Sequence, residues 1–136
     1  MPLAAAGSSI HHKICHVLGG AYDLPHAAMH TVILPHALAL VAPSEPEAIA
    51  RIGASLGNRD VPAAVYELAV TLGAPISLEA IGMPRERLDE AAGLIVDAIP
   101  GNPKPVDIPA IRALLADAFE GRRPSLDRVV ERATHG

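Results

Sequence analysis

Apolar residues recur at helical spacing along almost the whole chain. No run of five or more residues alternates apolar with polar as a half-buried strand requires. The spacing predicts a first helix from about Leu3 to Leu18, stopped by Gly19 and Gly20. Pro25 opens a second helix through "HAAMHTVILPHALAL", which Pro35 should kink. "PSEPEAIARIGASLG" reads as a helix capped by Ser44, with Glu47 three residues on and Gly57 at its end. "DVPAAVYELAVTLG" repeats that grammar, with Asp60 as cap and Gly73 as stop. "APISLEAIGMP" reads as a short helical turn. "PRERLDEAAGLIVDAI" then gathers Leu88, Ala91, Ala92, Ile95 and Ile99 on one face. "GNPKPVD" is a break, "DIPAIRALLADAFEG" is a helix capped by Asp107, and "SLDRVVERATHG" is a short frayed end. The sum is an all-α fold, a compact bundle of about six or seven helices forming one domain over residues 1–136.

Composition narrows this picture. Half of the 136 residues are hydrophobic but only 2% are aromatic, so the core must be built from Ala, Leu, Ile and Val. That suits close helix packing and disfavours a β-sandwich. A net charge of −4 without a basic stripe argues against nucleic acid as a partner. Cys15 is the lone cysteine, which rules out an internal disulfide and implies no oxidising compartment. "MPLAAAGSSI" lacks the basic segment and apolar run of a signal peptide. The most apolar stretch, "TVILPHALALVAP", is broken by Pro35 and His36 and reads as too short to span a bilayer. A cytoplasmic protein with no membrane partner is the expectation.

The candidate chemistry is concentrated in "HHKICHVLGGAYDLPHAAMH", residues 11–30, which holds five of the seven histidines; His36 follows. His12 and His16 are four apart and share a helical face, as do His26 and His30. Two such pairs facing across a hairpin could point four imidazoles at one spot. Neutral imidazole is a common ligand for divalent Zn, Fe or Ni. The alternative is a seam of hydrogen-bonded histidines. His11 lies about 100° round the helix from His12 and reads as a surface residue. His36, after the proline, could line a pocket.

The stretch "GSSIHHKICHVLGGAYDLPHAAMHTVILPHALA" resembles the iron-containing alcohol dehydrogenase superfamily, specifically its maleylacetate reductase branch. "ARIGASLG", "LGAPISLEAIGMP" and "NPKPVDIPAIRALLADAFEGRRP" extend the likeness over nearly the whole chain. It implies a dehydroquinate synthase-like C-terminal helical domain, truncated at its start, and a role in the breakdown of aromatic compounds. The family's cofactor is a nicotinamide held by an N-terminal Rossmann-like domain. No Gly-rich phosphate loop occurs here, so this chain alone is expected not to bind NAD(P). By the resemblance His12 and His26, fourteen residues apart, occupy two metal-ligand positions, and His16 an active-site position. The family's other two ligands, an Asp and a His on an earlier helix, have no counterpart. Glu131 and His135 are a weak substitute. A rebuilt site would draw on His30, Asp23, water or a second subunit. Members that work without a tightly held metal would use these histidines to bind and protonate substrate. The branch also carries Glu where this chain has Ala28.

Other residues beside the cluster carry reactive or charged groups. Cys15 could be a nucleophile next to His16, but adjacent helical residues diverge, and a small buried packing residue is the better reading. Asp23 could orient an imidazole or cap the second helix. Tyr22 could donate to a substrate oxygen or pack its loop. Lys13, Arg122 and Arg123 could attract a carboxylate, although solvated surface positions explain them equally.

Three functional readings follow. The first is a metal-assisted enzyme on a small lactone or oxo acid, with His12, His16, His26 and His30 as ligands and His16, Tyr22 and Asp23 as catalytic groups. The second is the helical subunit of a split reductase with a nucleotide-binding partner chain. The third is a non-enzymatic interaction module. Because the second helix, Ala27 to Val41, is apolar almost all round, part of it should remain open once family segments are missing. That predicts a homo-oligomer, a dimer first, with the second helix near the contact.

Overall fold

A computed structural model describes residues 3–101 and 106–125, and every described element is helical. The six α-helices are α1 (Leu3–Tyr22), α2 (His26–Val41), α3 (Pro46–Leu56), α4 (Val61–Thr71), α5 (Leu88–Ala98) and α6 (Ile108–Glu120). Glu131 and His135, together with most of the expected frayed end, lie outside the described residues.

Helix α2 lies at the centre, against α1, α4 and α6, while α5 pairs with α6 and also meets α1. Its buried residues include Met29, Val32, Ile33, His36, Ala37 and Val41, which point in several directions round the axis. By length and composition His26–Ser44 could cross a membrane, a longer apolar stretch than the sequence pattern suggested. In this fold it is a core helix. The main core joins Ile14, Cys15 and Leu18 of α1 and Met29 and Ile33 of α2 to Ile95 of α5 and Leu115 of α6. A smaller cluster of Ala42, Ile49 and Val61 fastens α3 and α4 to the end of α2.

Several expected boundaries move. Helix α1 continues through Gly19 and Gly20 and ends at Tyr22. Gly19 lies inside the helix rather than at its stop, and a Cβ there would lie 3.3 Å from Met29 Cε of α2. Ser44 does not cap α3. Its Oγ donates to the Val41 carbonyl within a 3-10 turn, and Glu45 takes the N-cap position without a side-chain bond. Asp60 and Asp107 do cap α4 and α6, accepting from Ala63 N at 3.4 Å and Ala110 N at 2.9 Å. Gly57 and Gly121 close α3 and α6 in the left-handed conformation. The loop after α4 meets the end of α6: Leu78 N–H donates to the Ala118 carbonyl and Glu79 N–H to that of Phe119, adding donors to the carbonyls of its last turn.

The expected open apolar surface is found largely away from α2. Leu34 is its one large hydrophobic residue on the exposed side, whereas Ile52 and Leu56 of α3, Leu68 and Val70 of α4, and Leu72 just beyond it are exposed.

Two helical glycines should respond to alanine with opposite signs. At Gly53 a Cβ would sit 2.7 Å from the Asn58 carbonyl oxygen, whereas at Gly93 nothing lies within 4 Å. Gly93→Ala should therefore stabilise the fold by about 0.5–1 kcal/mol, the ordinary helical preference. Gly53→Ala should destabilise it by about 1–3 kcal/mol through overpacking. Urea unfolding of both variants checks this; two stabilising substitutions would contradict the close approach of α3 to the following loop.

Candidate functional site

Helices α1 and α2 are joined by only three residues and pack as a hairpin. The buried stripe on α1 includes Cys15 and Leu18, with Tyr22 packed at its edge. His11 stands one turn before Cys15 and continues that stripe. It is half-buried, not the surface residue expected from its angle to His12. The apolar phase of "ICHVL" was the signal that placed it, because an i, i+4, i+7 series runs from His11 through Cys15 to Leu18.

His30 of α2 meets this stripe. One ligand atom each from His11, Cys15 and His30 lies within 4.8 Å of the others. His11 Nε2–H donates to the His30 carbonyl oxygen at 3.3 Å. The two rings meet edge to face, centroids 5.0 Å apart. The His26 ring lies 4.2 Å from that of His30 on the other side. Burial holds His11 below the usual imidazole range, against the opposing effect of its bond to His30; the nearby His30 and His12 rings lower it further. Burial also lowers His30, helped by His26 and His12. Cys15 is 1% exposed, and burial pushes its thiol up to about 12. A thiol so disfavoured as thiolate is no free nucleophile, in line with the packing reading.

The remaining expected ligands face outward. His12 and His16 are exposed on α1 with near-parallel rings 6.5 Å apart. His26 is exposed at the start of α2. Of the four expected ligands, only His30 belongs to the converging trio.

The expected catalytic partners are engaged elsewhere. Tyr22 Oη–H donates to Glu90 Oε1 at 2.8 Å, tying the end of α1 to α5. Burial, then the bond to Glu90 and its charge, raise its phenol to about 12. Asp23 adopts a left-handed φ of 53°, and its N–H donates to the Gly19 carbonyl. It therefore closes α1, and it does not cap α2, which has no side-chain cap. Lys13 is half-buried and His36 is buried within α2. Arg122 pairs with Asp117 and Glu120, and Arg123 with Glu67, so both already hold carboxylates of this chain.

Residues 1–119 match the Fe-containing alcohol dehydrogenase family, C-terminal. The chain is 48% identical over 123 residues to the maleylacetate reductase of Burkholderia cepacia, covering 90% of this chain and 35% of that protein. The crystal structure of the maleylacetate reductase from Agrobacterium tumefaciens superposes with a TM-score of 0.78 at 45% identity, over 85% of this chain and 33% of that one. The iron-containing alcohol dehydrogenase from Corynebacterium glutamicum superposes with a TM-score of 0.77 at 36% identity, with the same coverage. The chain thus spans about a third of the length of the relatives it matches.

The lowered imidazoles make stability depend on pH. The unfolded chain binds protons at His11 and His30 more readily than the folded one, so stability rises with pH in this range. The contribution is complete above the ordinary histidine value of 6.5 and is lost as pH falls from there through the lowered folded values. With a chelator present, the urea midpoint should drop between about pH 7.5 and about pH 5.5, and His11→Gln or His30→Gln should flatten the slope. A midpoint that is level or rises on acidification would contradict the burial of these rings.

Proposed function

The chain belongs to the Fe-containing alcohol dehydrogenase family, and from that premise we propose that it carries the substrate-side histidines of a maleylacetate reductase-type oxidoreductase. The observation behind this reading is its 48% identity over nine-tenths of its length to an enzyme of that name. The substrate class is a small oxo acid. The family resemblance assigns the nicotinamide to a separate nucleotide-binding unit.

The family name implies iron. The side chains here do not assemble an iron site around His12 and His26. Among the described residues the three ligand atoms that converge come from His11, Cys15 and His30, and that set includes neither. What this chain itself contributes is its imidazoles. His12, His16 and His26 are exposed on the hairpin, where they can donate hydrogen bonds to substrate oxygens. Reduction by hydride transfer consumes one proton. His16, at the position the resemblance marks as the active-site histidine, is the residue we assign to donate it. His12 and His26 hold and orient the acid.

A chimera tests this reading. The 123-residue segment matched in the Burkholderia cepacia enzyme is replaced by the corresponding segment of this chain. The chimera should oxidise NADH in the presence of maleylacetate. His12→Ala, His16→Ala and His26→Ala should each lower kcat/KM by about 10²-fold or more. A folded, NADH-binding chimera without reductase activity would overturn the assignment, as would full activity in all three variants.

A further inference from the structure

The inward trio differs from the outward histidines in chemistry as well as position. His11 and Cys15 are four residues apart on one face of α1, and His30 faces them from α2. Two imidazoles and one sulfur form a ligand set for a borderline or soft cation such as Zn²⁺ or Co²⁺, and a poor one for Mg²⁺ or Ca²⁺. The mutual separations of at most 4.8 Å are somewhat wider than a tetrahedral site needs. Bonds of about 2.0–2.1 Å to nitrogen and about 2.3 Å to sulfur put neighbouring ligand atoms roughly 3.5 Å apart. Closing that gap takes a side-chain adjustment of about 1 Å, which the half-buried imidazoles can make by rotamer shifts while the buried sulfur stays fixed.

From these positions we infer that His11, Cys15 and His30 form a binding site for a thiophilic divalent cation, distinct from the outward His12, His16 and His26. None of its three ligands, His11, Cys15 and His30, lies at a position that the family resemblance assigns to metal. Three protein ligands leave a fourth position for water or a small anion. The cation would supply the charge that makes thiolate favourable at a buried sulfur. It would also clamp α1 to α2 across the hairpin. The site stands independently of the proposed reduction, because none of the three residues is assigned a role in it.

Cobalt reads this site directly. Titrating the purified 136-residue chain with Co²⁺ should produce the intense visible bands of tetrahedral cobalt and a near-ultraviolet thiolate-to-cobalt charge-transfer band. Cys15→Ser should abolish the charge-transfer band. His11→Ala and His30→Ala should each weaken cobalt binding by at least about tenfold. His12→Ala and His16→Ala, on the outer face of the same helix, should keep the band. A second readout needs no substitution: X-ray absorption of the Zn²⁺-loaded chain should show one sulfur at about 2.3 Å and nitrogen at about 2.0–2.1 Å. Absence of a charge-transfer band in the folded wild-type chain would overturn the inference. So would its persistence in Cys15→Ser, or a zinc shell with nitrogen and oxygen only.

Discussion

Helix α2 has no continuous polar side to turn toward water, so the neighbouring helices must surround it. Helices α1, α4 and α6 do so. Gly19 of α1 faces Met29 of α2, where a Cβ would lie 3.3 Å from the end of the Met29 side chain. His30 follows Met29 in sequence, and the hairpin that buries Met29 also brings His30 against α1. The position of an imidazole is thus a consequence of aliphatic packing several residues away.

Much of the architecture was legible in the residue pattern. Asp60, Asp107, Gly57 and Gly121 mark helix ends by local chemistry, and they act as that chemistry dictates. The face of Leu88, Ala91, Ala92, Ile95 and Ile99 is buried as its spacing requires. Local rules failed where tertiary contact decided the outcome. Gly19 and Gly20 look like a stop, yet α1 runs on through both against α2 and the helix closes at Asp23 with a left-handed turn. Ser44 resembles a cap, but the chain leaving α2 tightens into a 3-10 turn that draws its hydroxyl back to Val41.

The site was legible as a region rather than as a set. Residues 11–30 were recognisable from histidine density, and the resemblance singled out His12, His16 and His26. Reading i, i+4 histidine pairs in isolation favoured His12 with His16. The rotation of α1 is set instead by Ile14, Cys15 and Leu18, which turns His11 inward and leaves His12 and His16 exposed. One hairpin thereby presents two kinds of surface. Its outer imidazoles are exposed, and its inner seam brings two imidazoles beside a buried sulfur. Tyr22 lies at the end of the same helix, but its hydroxyl serves the junction with α5 through Glu90.

The rotation of α1 against α2 is therefore the central claim, and proton–proton contacts in solution report it most directly. In the metal-free chain, nuclear Overhauser spectra should show the His11 ring against both the His30 ring and the Cys15 β-protons, while the His16 ring shows no contact with α2. Contacts from the His16 ring to His30, with the His11 ring free of α2, would mean that α1 is turned the other way, and the assignment of inner and outer histidines would fail.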